Sequence, residues 1–280
     1  MNEKLSILVD ARNVLYRAIY AARITNQYDV KYHYLVILLR QFVNWMGKFK
    51  PTSVHVFWDA PRDTVWRRTV LKTYKNRQQS QYVDDISEDL ALTTAAAMEL
   101  FKYLNIRQYI RKQMEADDLI YAAATMLHPY KSIIISTDSD MMQIPFTFNS
   151  SSVYDPRKAV EVPIPKYHPA LMKSIIGDKA DSVDGYYGIG PKKGIMLLEN
   201  PHHLQEFLEL KGRNIYHRNL LLTDLSLCPR LLANKIYIQK TMAESVSFDK
   251  GMILETVKKY KLLGLDSEYA NLIPPFSKLL

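Results

Sequence analysis

Two short runs of this chain gather carboxylates where they would repel one another. Ile133-Ile134-Ile135-Ser136-Thr137-Asp138-Ser139-Asp140 ends an apolar segment in two of them. Asp178 and Asp181 stand just ahead of a turn rich in glycine and lysine, Gly185-Tyr186-Tyr187-Gly188-Ile189-Gly190-Pro191-Lys192-Lys193-Gly194. Grouped carboxylates suffer desolvation and raised pKa values unless a cation lies among them. Oxygen donors without His or Cys at ligand spacing suit Mg²⁺ or Mn²⁺ and not zinc. Two such ions close together can activate a water and stabilise the leaving oxygen in phosphodiester hydrolysis. A Gly-Lys turn suits a phosphate, because glycines admit close backbone approach and the amides of the following helix point at the anion. No Asp-x-Asp-x-Asp-Gly loop is present, which excludes an EF-hand.

More acids follow the same design. Leu5 to Val9 ends in Asp10, and Val54 to Trp58 ends in Asp59. One strand-terminal Asp is an ordinary cap or turn residue, but three in one chain are hard to ascribe to capping. Glu115-Ala116-Asp117-Asp118 opens the apolar helix Leu119 to Ala124. Acids in a first helical turn complement the helix dipole, yet three in four positions exceed what a cap requires. Their spacing aims Glu115 and Asp118 to one side and Asp117 to another.

The elements that must position these groups are legible as apolar runs. Segments 5–10, 54–59, 106–110 and 133–138 read as buried parallel strands. Between them lie helical patterns at 12–23, 33–48, 88–104 and 116–127. This alternation predicts an α/β fold with a mostly parallel central sheet flanked by helices. Ligands of such sheets sit beyond the carboxyl ends of the strands, so the three strand-terminal acids should share one crevice. After about residue 165 helices dominate, at 168–176, 190–199, 214–223, 229–244 and 251–262. The expected division is an α/β core over 1–165 and a helical part over 166–280 packed on it.

Composition agrees with a polyanionic partner. The net charge is +8 and the pI near 9.3. Setting aside the nine carboxylates named above leaves 20 acidic residues against 37 Lys and Arg, a body of +17. From Arg62 to Arg77, six basic residues face one acid, Asp63; the alternative to a phosphate grip there is a solvated basic face. A single cysteine, Cys228, excludes an intrachain disulfide and a cysteine zinc site. No apolar stretch reaches membrane-spanning length and no signal-peptide core is present, so a cytoplasmic protein is expected.

The ordered set of motifs resembles the metal-dependent 5′ nucleases, or flap endonucleases. That family includes phage 5′ exonucleases with RNase H activity and the 5′-nuclease domain of DNA polymerase I. Matching pieces are Leu8-Val9-Asp10-Ala11-Arg12-Asn13, Phe57-Trp58-Asp59, Trp66-Arg67-Arg68, Tyr74-Lys75-Asn76-Arg77 and Glu115 to Asp118. Ser136 to Asp140, Gly177 to Asp181, Gly185 to Gly194 and Arg218 to Leu225 complete it. Each piece alone is weak, and together they span most of the chain. The chain's length and lack of an attached polymerase look most like the bacteriophage members.

The resemblance implies a PIN/5′-nuclease-like core with a helical arch around 66–90. It also implies a helix–three-turn–helix DNA-binding motif whose turn lies at 183–199 and which can hold K⁺. Asp10, Asp59, Glu115, Asp117 and Asp118 would form one metal site; Asp138, Asp140, Asp178 and Asp181 would form the second. Lys75 would stabilise the scissile phosphate and Arg77 grip it, with Arg67, Arg68, Lys72, Gly188, Gly190, Lys192 and Lys193 on DNA and Tyr74 stacking on a base. Relatives separate the lysine and arginine by two residues; here Asn76 alone lies between, which on a helix turns Arg77 by about 100°. Asp184 stands where relatives carry a non-acidic residue and is left out of the ligand set.

The implied substrates are 5′-flap, nicked or RNA-primed duplexes and RNA:DNA hybrids, cut during primer removal in replication. A monomer in the cytoplasm, of the host cell if the protein is viral, is expected, with a single-strand DNA-binding protein or sliding clamp as a partner. Two other readings stay open: a PIN-like ribonuclease, which would lack the 185–194 turn and second acidic pair, and a non-catalytic nucleic-acid-binding relative, which would have shed carboxylates.

Overall fold

The computed structural model describes residues 4–24, 33–76, 87–262 and 271–279. Four apolar runs form parallel strands at the centre of the sheet: β1 (Leu5–Asp10), β2 (Ser53–Trp58), β3 (Ile106–Ile110) and β4 (Lys131–Ile135). Two further strands, β5 (Ser151–Asp155) and β6 (Val160–Glu161), extend one edge, giving the order β3-β2-β1-β4-β5-β6. Within this sheet β6 runs antiparallel to β5, and the other pairings among the described residues are parallel. The β5–β6 hairpin escapes a sequence reading because three of its residues, Ser151, Ser152 and Asp155, dilute the apolar signal.

Register brings the acids together. Asp10 pairs with Phe57, and Val9 pairs with Ile135. Asp59 therefore emerges two residues past the Asp10 rung on one side, and Asp138 two residues past Ser136 on the other. All three leave the same carboxyl edge of the sheet, as expected for a parallel sheet's ligand crevice.

Helices cover both faces. On one lie α1 (Ala11–Ile24), α2 (His33–Phe49) and α4 (Ser87–Phe101), whose residues Leu15, Leu39, Phe42 and Phe101 join Val9, Val56 and Ile135 in a buried core. The other face carries α5 (Ala116–Leu127), where Leu119, Ile120 and Ala123 pack with Leu8, Phe57 and Ile134. A short α3 (Arg67–Val70) and α6 (Gln143–Thr147) lie in the connections.

The C-terminal half is helical, as its pattern predicts: α7 (Pro169–Ile176), α8 (Pro191–Glu199), α9 (Pro201–Lys211), α10 (Asn214–Thr223), α11 (Leu231–Ala243) and α12 (Lys250–Lys259). Sequence reasoning passes over α9 because its apolar stripe is thin; among its residues only Leu208 is buried. Its start is fixed locally, by Pro201 at the first position and by Asn200, whose side chain accepts from the N–H groups of His202 and His203. This half wraps the sheet. Ile238 of α11 joins the α5 core, and Ile253, Val257 and Phe276 join the opposite one. Cys228 is buried without a disulfide partner. Among the described residues no helix is long and apolar enough to cross a membrane.

Candidate active site

At the carboxyl edge, each acid is held by the element that delivers it. Asp10 ends β1 and begins α1; its Oδ1 accepts from the Asn13 N–H at 3.2 Å and its Oδ2 from the Ser136 hydroxyl at 3.0 Å. Asp59 accepts from the Ala116 N–H at 2.8 Å, which ties the end of β2 to the start of α5. Asp138 accepts from the Asp140 N–H at 2.9 Å, so one short turn sets both carboxylates. Asp178 does the same for the Ala180 N–H at 2.8 Å, within the small hairpin β7 (Gly177–Asp178) and β8 (Val183–Asp184).

The capping acids of α5 divide as the spacing predicts, but to different ends. Glu115 and Asp118 form a reciprocal capping box. Asp118 is fully buried, and its oxygens accept from both terminal nitrogens of Arg67 at 2.9 and 3.0 Å, from the Trp66 indole at 3.0 Å and from the Glu115 N–H. That carboxylate has no room left for a metal, which corrects its expected place among the ligands. Asp117 faces the other way, toward Asp138 and Asp10; burial first, and then the charges of those two, push its pKa well up.

Two expected DNA contacts are likewise internal. Arg67 is 3% exposed and also bonds Glu115 at 2.7 Å and the Leu222 carbonyl at 2.7 Å, so it anchors α3 and the end of α10 to the site and cannot reach a duplex. Tyr74 is equally buried; its hydroxyl donates to Asp181 at 2.9 Å and contacts Glu115 at 3.2 Å, leaving no ring face for a base. Arg68 is half-buried and Lys72 exposed.

Lys75 occupies a turn and not an arch helix, with φ +51°. Its backbone N–H donates to the Asp181 carbonyl at 2.8 Å, and its ammonium meets Glu115 at 2.5 Å and Asp181 at 3.9 Å. The helical rotation expected between Lys75 and Arg77 therefore does not apply at Lys75. Arg77 itself, with residues 77–86 of the arch expected around 66–90, lies outside the described residues. Beside Lys75 a cavity of about 210 Å³ is lined by Arg12, Asp59, Arg62 and Glu115.

Lys173 is the residue sequence reasoning misses. Its ammonium forms ion pairs with Asp140 and, at 2.6 Å, with Asp178. In sequence it looks like any lysine on an amphipathic helix; only the packing of α7 beside the 138–142 turn reveals it.

Electrostatics mark the cluster as a cation site. Burial and then repulsion from Asp59 raise Asp10 to about 7. Burial raises Asp140 to about 6 although Lys173 pulls it down, and burial raises Asp59 and Asp181 as well. Glu115 goes the other way: against its burial, Arg67 and Lys75 hold it at about 2. One ligand oxygen each from Asp140, Asp178 and Asp181 lies within 4.8 Å of the others. Asp138 falls outside that trio; its charge acts on Asp10, Asp117 and Asp140 alike, so it stands between the trio and the group of Asp10, Asp59 and Asp117. An all-oxygen, partly buried, strained set of carboxylates fits hard divalent cations.

The glycine turn is organised but open. Gly177 has φ +79°, and a Cβ there or at Gly185 would strike backbone atoms within 2.5 Å, so both glycines serve the packing of α7 against the turn. Gly188 has φ +75° with nothing within 4 Å. Gly190 has an ordinary φ and open space, so neither conformation nor packing explains it. Lys193 donates to the Gly188 carbonyl at 3.2 Å, Lys192 is exposed, and Tyr187 stands fully in solvent.

Comparison with known proteins agrees with this geometry. Residues 5–168 match the family model for the 5′-3′ exonuclease N-terminal resolvase-like domain. The 5′-3′ exonuclease of Buchnera aphidicola subsp. Baizongia pistaciae is 25% identical over 280 residues, covering 96% of this chain and 86% of that protein. DNA polymerase I of Bacillus subtilis is 26% identical over 74% of this chain, which spans 24% of the polymerase. Among solved structures, the bacteriophage T5 5′-exonuclease with bound zinc superposes with a TM-score of 0.66 at 19% identity, covering 92% of this chain and 98% of that one. A T5 D15 flap endonuclease complex with DNA and metal ions gives the same TM-score and identity over 92% and 100%. These two likenesses establish a shared fold.

Proposed function

The chain belongs to the 5′-3′ exonuclease family, and on that premise we propose that it is a structure-specific 5′ nuclease hydrolysing phosphodiesters of 5′-flap, nicked or RNA-primed duplexes. The observation that carries the reading is the crowding of Asp10, Asp59, Asp117, Asp138, Asp140, Asp178 and Asp181 at one sheet edge, with several of their pKa values raised. Such crowding is unfavourable for the protein alone and favourable once cations bind.

Asp10, Asp59 and Asp117 would hold one divalent ion, and Asp140, Asp178 and Asp181 the other, Mg²⁺ or Mn²⁺ in each case; Asp138, expected with the second set, stands between the two, and Glu115, expected with the first, is engaged by Arg67 and Lys75. When bound, the pair supplies an activated water and charge neutralisation at the phosphate. The chain's own residues do the remainder. Lys75, held by Glu115 and with its side chain 28% exposed, would stabilise negative charge on the scissile phosphate. Glu115 serves as its positioning partner. Arg12 and Arg62 line the same cavity and would bind the neighbouring phosphate.

The 1–165 core then supplies most of the acids, and the 166–280 part supplies Asp178 and Asp181 together with the duplex grip. Gly188, Gly190, Lys192 and Lys193 would contact the duplex backbone, a contact that reads shape and no base sequence. A helix–three-turn–helix holding K⁺ is the corresponding motif. A monomer acting in replication, with RNase H-type activity on RNA:DNA hybrids, completes the proposal.

The test is product analysis on three 5′-labelled substrates with Mg²⁺: a 5′-flap duplex, a nicked duplex and an RNA-primed duplex. Metal-dependent cuts clustered at the junction are expected in each. Cutting scattered through single strands, independent of the junction, would contradict structure-specific recognition.

A further inference from the structure

The turn of the β5–β6 hairpin carries Arg157 and Lys158 on the far side of the acid cluster from Lys75, where no site residue was expected. Between this turn and the 136–139 loop lies a separate cavity of about 240 Å³. Its floor is apolar, from Met142, Val153 and Val162, and its rim carries Asp138, Arg157 and Lys158. The volume is below the roughly 300–1,000 Å³ that receives a drug-sized ligand, and suits a single ring system.

The cations are arranged differently. Arg157 is pre-organised: Asp155, itself buried, accepts from its backbone N–H at 2.7 Å, from Nε at 3.2 Å and from Nη2 at 3.0 Å. This fixes the guanidinium plane and leaves Nη1 outside the pair. Lys158 is exposed and has no ion-pair partner among the described residues. Val160, 47% exposed, offers an apolar surface beside them.

Sheet order decides what this cavity can be. The Lys75 cavity meets the acids at Asp59, on the β2 side of Asp10, and this one meets them at exposed Asp138, on the β4–β5 side. A nucleic-acid strand whose scissile phosphate rests over the acids beside Lys75, and whose one neighbour meets Arg12 and Arg62, would lay its other neighbour here. We infer that this cavity is a nucleotide subsite of the cut strand: the ring of the nucleotide next to the scissile phosphate packs on the apolar floor and Val160, and its outer phosphate is held by Arg157 and Lys158. The inference rests on the nuclease reading and extends it to a site of its own.

The experiment is steady-state cleavage of a 5′-flap duplex by the wild type, K158Q, K158E and R157K across a salt series. Lys158 is exposed, so its variants keep the fold, and R157K keeps a cation beside Asp155. K158Q is expected to raise KM about three- to tenfold with kcat within twofold, and to lessen the salt slope of log KM by about one. K158E should raise KM further, and R157K, which loses the fixed fork, should also raise it. A single abasic residue on one side of the scissile phosphate should raise KM for the wild type, with a smaller effect for V160D. Unchanged KM in both K158Q and K158E, or a fall in kcat alone, would overturn the subsite while leaving the nuclease reading intact. A wild type that cuts nothing in Mg²⁺ would overturn both.

Discussion

Asp117 and Asp118 are sequence neighbours with opposite environments, and that contrast is testable. Asp118 spends its oxygens on Arg67, Trp66 and the Glu115 N–H, while Asp117 looks into the acid cluster. Asp118→Asn should destabilise by about 2 kcal/mol or more, because the buried Arg67 loses one of its two charged partners and keeps only Glu115; denaturant unfolding reads this. Asp117→Asn should keep or raise stability in EDTA and lower Mg²⁺-dependent cleavage by about 100-fold or more. Equal losses of stability in both would contradict the division. Lys173 acts as an internal counter-ion to Asp140 and Asp178, so Lys173→Met should cost about 3 kcal/mol without metal. Millimolar Mg²⁺ should shrink that gap, since the ion takes over the neutralisation; an identical loss with and without Mg²⁺ would assign Lys173 to packing alone. These roles were hidden from the sequence for a physical reason. Arg67 and Asp118 are 51 residues apart, and a basic segment reads the same whether its members face solvent or a buried carboxylate. The carboxylates themselves were legible because grouped acids have few structural reasons to exist.

The parallel strands announced themselves as apolar runs, and the register that follows from them places Asp10, Asp59 and Asp138 on one edge. The β5–β6 hairpin and α9 did not, since serines and exposed polar residues carry no periodic signal. The Gly-Lys turn was legible as a unit, though not the division of labour among its glycines. Gly177→Ala should lower stability by about 2 kcal/mol or more, since φ is +79° and backbone atoms lie at 2.4 Å from a new Cβ. Gly190→Ala should change stability by less than about 0.5 kcal/mol but weaken duplex binding about three- to tenfold in fluorescence anisotropy. Full duplex affinity in Gly190→Ala would remove the turn from the binding surface.

At the scale of the molecule, an acidic focus sits in a chain of net charge +8, which draws a polyanion toward a site that only cations make habitable. The focus also links stability to pH. Asp10 near 7 and Asp140 near 6 lie above the usual carboxylate value of 3.8. The stability they contribute is full below pH 4 and is lost as pH rises through 6 and 7. Glu115, held at about 2 against an ordinary 4.5, contributes stability that is present above pH 4.5 and lost as pH falls toward 2. In EDTA, Tm should therefore fall between pH 5 and pH 8, and added Mg²⁺ should raise Tm more at pH 8 than at pH 5; a metal effect independent of pH would contradict the linkage. The most direct test of the account is the rate of 5′-flap cleavage by the wild type and by Asp10→Asn as Mg²⁺ is titrated in and then removed with EDTA. Junction cleavage should rise with Mg²⁺, stop in EDTA and be nearly absent in Asp10→Asn. Cleavage that persists in EDTA, or survives the loss of Asp10, would contradict it.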